Sequence, residues 1–134
     1  MSLLVDTSVW SLALRRDRPA ESPVVVLLRR ALEGDSVVLT TGIVLQELLQ
    51  GVRGPKGREA IIGRFAALPF VVPDRQDHIE AALLHTACRG KGLQLGTIDA
   101  LLAQLCLRHD LTLLTTDRDF SRIAGVVPLR VQMG

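Results

Sequence analysis

Short apolar runs that stop at a polar residue and give way to a helical pattern set the architecture open to this chain. Leu3-Leu4-Val5 ends at Asp6 and passes into a helix over Ser8 to Arg15, which Thr7 or Ser8 is placed to cap. A second helix starts with Pro23 in its first turn and stops at Gly34 and Asp35. Ser36-Val37-Val38-Leu39-Thr40 has the continuous β-branched character of a strand buried on both faces. It runs through Thr41-Gly42 into a helix whose Val44, Leu45, Leu48, Leu49 and Val52 share one stripe.

The same alternation continues to the end. A helix over Lys56 to Ala67 precedes a short strand, Phe70-Val71-Val72-Pro73, and a helix over Asp77 to Cys88 follows. After a glycine-punctuated loop, Thr97 caps a helix that carries Ile98, Leu101, Leu102, Leu105 and Cys106 on one face. Strand Leu111 to Leu114, a short helix around Phe120 to Ile123 and a strand near Leu129 to Val131 complete the pattern. Strands that alternate with helices predict an α/β fold with a mostly parallel central sheet, here of about five strands, covered on both faces. All strand carboxyl ends then meet at one edge, where ligands bind in such folds.

Composition narrows the function classes. At 134 residues and 48% hydrophobic, the chain fits a single domain over 1–134 with one core. No apolar stretch approaches the ~20 residues that cross a bilayer. The start lacks a basic region and a small-residue cleavage site, so a cytoplasmic location is expected and no membrane partner. Cys88 and Cys106 have no zinc-like spacing and are expected to be reduced, buried and inert. His78, His85 and His109 lack partners at ligand or triad spacing. A net charge of +2 is compatible with nucleic acid without requiring it. The cations nonetheless cluster: Arg15, Arg16 and Arg18; Arg53, Lys56 and Arg58; Arg89 and Lys91.

Asp6, Glu47, Asp99 and Asp117, with Asp119 beside the last, carry the chemistry. Singly each has an ordinary explanation, because acids cap helices and offset the macrodipole. The wheel leaves Glu47 at the margin of its stripe. Together they are harder to explain as surface. Asp6 and Asp117 follow strands at one sheet edge, and Glu47 and Asp99 lie near the starts of helices that rise from that edge. Two carboxylates about 4 Å apart repel by roughly 4 kcal/mol at an effective dielectric near 20. Such a cluster calls for a cation or shared protons, and hard oxygen donors without His or Cys favour Mg²⁺ or Mn²⁺ over zinc.

Val5-Asp6-Thr7-Ser8-Val9-Trp10, the helical Glu47, Gly96-Thr97-Ile98-Asp99-Ala100-Leu101-Leu102-Ala103 and Leu114-Thr115-Thr116-Asp117-Arg118-Asp119-Phe120 resemble the PIN-domain ribonucleases, in particular the VapC toxins of prokaryotic toxin-antitoxin pairs. The resemblance spans essentially the whole chain. It implies a three-layer α/β/α fold and a metal-dependent endoribonuclease with Asp6, Glu47, Asp99 and Asp117 as its acidic quartet. Asp6, Asp99 and Asp117 would be the ligands of Mg²⁺ or Mn²⁺, and Glu47 would orient or deprotonate the attacking water. Asp119 would be an accessory acid, with Ser8 and Thr115 as supporting hydroxyls and Thr116 their neighbour. The products would carry 5′-phosphate and 3′-hydroxyl ends.

The family also implies a tRNA or rRNA substrate, a homodimer and a small VapB-like antitoxin. Arg15, Arg16, Arg89, Lys91 and Arg118 are the candidate phosphate contacts. Trp10, Leu12 and Leu14 belong either to the core or to a partner groove, and the mean hydropathy of +0.30 leaves room for exposed apolar surface. The antitoxin surface is sought on the helices over Ser8 to Arg15, Pro23 to Glu33 and Val44 to Val52. Two other readings compete. A catalytically inactive PIN-like binding protein would keep the fold without the chemistry, which the intact acidic set opposes. A phosphoacceptor receiver domain needs an adjacent acidic pair and a late lysine, and no lysine follows Lys91.

Overall fold

A computed structural model describes residues 1–15 and 22–133. Its sheet is wholly parallel, with β1 (Ser2–Val5), β2 (Val37–Leu39), β3 (Thr112–Leu114) and β4 (Arg130–Gln132) in the order β2-β1-β3-β4. The first strand of the chain is therefore internal. Leu3, Leu4 and Val5 are fully buried, and Leu4 pairs with Leu39 on one side and Leu113 on the other. That position explains why all three are large and apolar, since a strand covered on both faces has no solvent side.

Four strands stand where about five are expected among the described residues. The segment at Phe70 contributes only an isolated bridge with Thr40. Its two bonds run from Val71 N–H to Thr40 O at 2.8 Å and from Thr40 N–H to Pro69 O at 3.0 Å. Pro69 and Pro73 bracket the segment, and each lacks the N–H that a longer ladder needs. The last strand begins one residue later than expected, at Arg130.

The helices are α1 (Thr7–Ala13), α2 (Pro23–Arg30), α3 (Gly42–Gly51), α4 (Pro55–Phe65), α5 (Arg75–Gly90), α6 (Thr97–His109) and α7 (Asp119–Ile123). Ser22 caps α2 by accepting from Val25 N–H, and the helix widens into a π-turn over Ala31–Asp35 that Gly34 closes at φ +119°. α5 starts two residues before the expected Asp77. Asp74 is its cap and Asp77 answers in a reciprocal capping box. Thr97 is the first residue of α6 rather than its cap. Gly96 holds the cap position, without a side-chain bond.

One hydrophobic cluster unites the sheet with its covering helices. Trp10 is part of it, 1% exposed and tilted against Phe65 at a centroid distance of 4.9 Å, whereas Leu12 and Leu14 are only partly buried. Cys88 and Cys106 are free and buried, and burial pushes the Cys106 thiol up to about 12. Neither thiol is poised for reaction. No helix among the described residues is long and apolar enough to cross a membrane.

Candidate functional site

The parallel pairing of β1 with β3 sets two chain exits side by side at one sheet edge. Asp6 N–H continues the ladder by donating to Leu114 O at 2.9 Å, which brings Asp6 against Thr115 although 109 residues separate them. Thr115 Oγ1 donates to Asp6 Oδ2 at 2.8 Å, and Ser8 Oγ donates to the same oxygen at 2.8 Å. Ser8 Oγ in turn accepts from Thr116 N–H at 3.2 Å, and Thr115 Oγ1 accepts from Asp117 N–H at 3.0 Å. A local fold of hydroxyls thus fixes one oxygen of a carboxylate that is only 8% exposed.

These bonds revise the capping expectation for α1. Asp6 occupies the cap position, yet its carboxylate makes no capping bond, and the hydroxyls of Thr7 and Ser8 turn to acids instead. Thr7 Oγ1 donates to Glu47 Oε1 at 2.9 Å across 40 residues. Half-buried Glu47 on α3 therefore faces the site, a direction its helical wheel left open. Asp117 keeps part of its ordinary role, since its Oδ1 accepts from Asp119 N–H at 2.9 Å just ahead of α7. Asp99 lies in the first turn of α6.

Electrostatics links the acids. Burial comes first, followed by the charges of Asp6, Asp117, Glu47 and Asp119, and together they push the Asp99 carboxyl from 3.8 up to about 6. Four of the acids singled out from the sequence thus act on the fifth, Asp99. Asp6, Glu47 and Asp117 each accept their side-chain and backbone bonds on a single oxygen, so the second oxygen of each is available to a ligand among the described residues. Hard, half-engaged carboxylates that repel one another suit a divalent cation of the Mg²⁺ or Mn²⁺ type. The fit is one of donor chemistry and field. Among the described residues, no three Asp, Glu, His or Cys side chains already stand in metal-holding geometry.

The basic residues divide by position. Arg118 is exposed between Asp117 and Asp119, within the acidic stretch. Arg89 and Lys91 are exposed where α5 ends, and Arg89 lines a groove of about 670 Å³ with Thr97 and Ile98 near the start of α6. Arg15 is exposed beyond the far end of α1, carried roughly 10 Å from the acidic edge by the helix rise. It is not part of the acidic centre. Arg16 and Arg18 lie outside the described residues. His78 and His109 are exposed, and His85 meets Arg89 at 3.3 Å, so the histidines stand apart from the acids.

Residues 3–126 match the PIN domain family model. The chain belongs to the PIN-domain family. Solved structures of similar shape include VapBC2 from Rickettsia felis bound to a DNA fragment from their promoter, with a TM-score of 0.78 at 20% identity and 98% of each chain covered. VapBC-1 from nontypeable Haemophilus influenzae gives 0.77 at 18% identity, with 98% of this chain and 97% of that one covered. VapC20 of Mycobacterium tuberculosis, a sarcin-ricin loop cleaving toxin, gives 0.67 at 21% identity, with 96% and 98% covered. At these identities the likeness carries the fold alone. Within this PIN domain the sequence pattern did not mark Thr7 as a site residue. Its hydroxyl beside Asp6 was the only available signal, and a first-turn threonine is ordinarily a helix feature.

Proposed function

We propose that this PIN domain, a single unit over 1–134, is a Mg²⁺- or Mn²⁺-dependent endoribonuclease, the VapC-type toxin of a toxin-antitoxin pair acting in the cytoplasm. The observation that carries the reading is the convergence of Asp6, Asp117, Glu47 and Asp119 on Asp99 at the carboxyl edge of a PIN sheet. Asp6, Asp99 and Asp117 would hold a divalent cation, which when bound would supply charge to offset the phosphodiester oxygens and lower the pKa of water.

The remaining roles belong to the chain. Ser8 and Thr115 hold Asp6 Oδ2 and so fix the direction of its other oxygen. Thr7 holds Glu47 Oε1, which leaves Oε2 to orient the attacking water or take its proton. Asp117 is braced by Asp119 N–H and Thr115 Oγ1, and Asp119 adds negative field. Arg118, Arg89 and Lys91 position the substrate backbone without reading sequence. Hydrolysis in this sense leaves 5′-phosphate and 3′-hydroxyl ends on a tRNA or rRNA.

A VapB-like antitoxin and a second copy of the chain complete the assembly on this reading. A groove of about 600 Å³ between the end of α1 and the α3–α4 junction suits the antitoxin, with Leu14, Val52 and Ile61 inside and Arg53 and Lys56 at its rim. RNA cleavage with Mg²⁺ or Mn²⁺, repeated in EDTA and with Asp99→Asn and Asp6→Asn, tests the function. Loss of cleavage in EDTA and in both variants is expected. An Asp99→Asn protein that cuts as fast as the unaltered one overturns the assignment.

A further inference from the structure

A further cleft, of about 350 Å³, opens beside the acidic centre and shares only Asp119 with it. One wall is the loop that carries Leu93 and Gln94, and the other is α7 with Asp119, Arg122 and Ile123. Both walls run directly into the centre. The loop continues through Gly96 into α6 and Asp99, and Asp119 N–H bonds Asp117 Oδ1. The volume lies at the small end of ligand clefts, roughly 300–1,000 Å³, which is room for one base rather than a helix.

The lining is mixed. Partly buried Leu93 offers an apolar flank over the buried Ile123, while Gln94, Asp119 and Arg122 supply donors and acceptors. Arg122 Nη1 reaches Asp119 Oδ1 only at 3.5 Å, with the two side chains 68% and 51% exposed. A pair so long and so wet is weak, and each partner is available to a ligand that matches it better.

We propose that this cleft receives one guanine of the RNA next to the scissile phosphate, with Arg122 and Asp119 reading its edges. The proposal rests on the nuclease reading for its ligand class. Guanine is the one base with both a two-acceptor edge, N7 and O6, and a two-donor edge, N1–H and the N2 amine. The first matches a guanidinium fork and the second a carboxylate, and the two groups stand on the same short helix. Leu93 takes the face of the ring. Single-stranded RNA is the form in which these edges are open to side chains.

The test measures equilibrium binding of a short single-stranded RNA with one guanine to Asp99→Asn protein, in which cleavage is silenced. Matched RNAs carry 7-deazaguanine, which lacks N7, inosine, which lacks the N2 amine, or adenine. Each replacement is expected to weaken binding about tenfold or more. In the same background, Arg122→Ala and Arg122→Lys bind the guanine RNA more weakly and no longer distinguish it from the 7-deaza form, because neither offers the fork. Equal affinity for guanine and 7-deazaguanine overturns the proposal, as does discrimination between those two bases that survives without Arg122 or an absence of binding to every RNA. Cleavage by the unaltered protein is scored separately. A protein that cuts RNA without discriminating bases loses only this subsite, and one that discriminates guanine but never cuts loses only the hydrolysis.

Discussion

Thr7 and Ser8 are neighbours on α1 that hold different acids. Ser8 secures Asp6, a residue two places away, and Thr7 secures Glu47 on another helix. Partners of this kind typically change activity by about 10–100-fold when removed from a metal site. Thr7→Val is therefore expected to lower kcat by about 10–100-fold with KM little changed, and Thr7→Ser to restore most of it, as read in steady-state cleavage. A loss that Thr7→Ser does not repair assigns Thr7 to packing instead. The acids themselves were legible from the sequence, because Asp6 and Asp117 follow strands and Asp99 opens a helix. Their support was only half legible. Ser8 and Thr115 come from the family pattern, but the Thr7 bond depends on how α1 and α3 pack.

The pairing of α5 with α6 turns on a carboxylate that the pattern read as a helix start. Asp77 is fully buried and accepts from Asp74 N–H, Gln104 and Arg108, which ties the start of α5 to the last turns of α6. Burial pushes its carboxyl up, but the bonds from Asp74, Gln104 and Arg108 and the Arg108 charge outweigh that and hold it below 3.8. Its stabilising effect is thus complete above pH 3.8 and is lost as pH falls through the depressed value. Arg108→Ala strips one partner from a buried acid. We expect a loss of about 1–3 kcal/mol in urea unfolding, with cleavage retained wherever the protein stays folded.

Element types were legible because the hydrophobic period switches cleanly between strand and helix. Boundaries were less so. Capping geometry moved the start of α5, and paired prolines reduced one expected strand to a bridge. The end of α6 shows a similar long-range dependence. Asp110 ends that helix at φ +56°, a conformation uncommon outside glycine, and Arg130 from β4 bonds both its carboxylate and its carbonyl.

At the scale of the whole molecule, the acidic centre should cost stability when no cation offsets it. Asp99 binds a proton more readily in the folded chain, so in EDTA its contribution falls as pH rises from 3.8 through about 6 and stays low above that. Asp99→Asn removes that charge and is expected to raise the melting temperature in EDTA at pH 7.5. Mn²⁺ at about 100 times its Kd should raise that of the unaltered protein by roughly 10 °C and that of Asp99→Asn far less. A melting temperature indifferent to Mn²⁺ in the unaltered protein would contradict the cation site.

The bond between Thr115 and Asp6 joins residues 109 positions apart, and the strand that brings them together is β3. On a ribosome, Asp6 is exposed to the cell long before Thr115 has been translated. A nascent or prematurely ended chain carries Asp6 without its partner, so the proposed activity waits until β3 and Thr115 have been made.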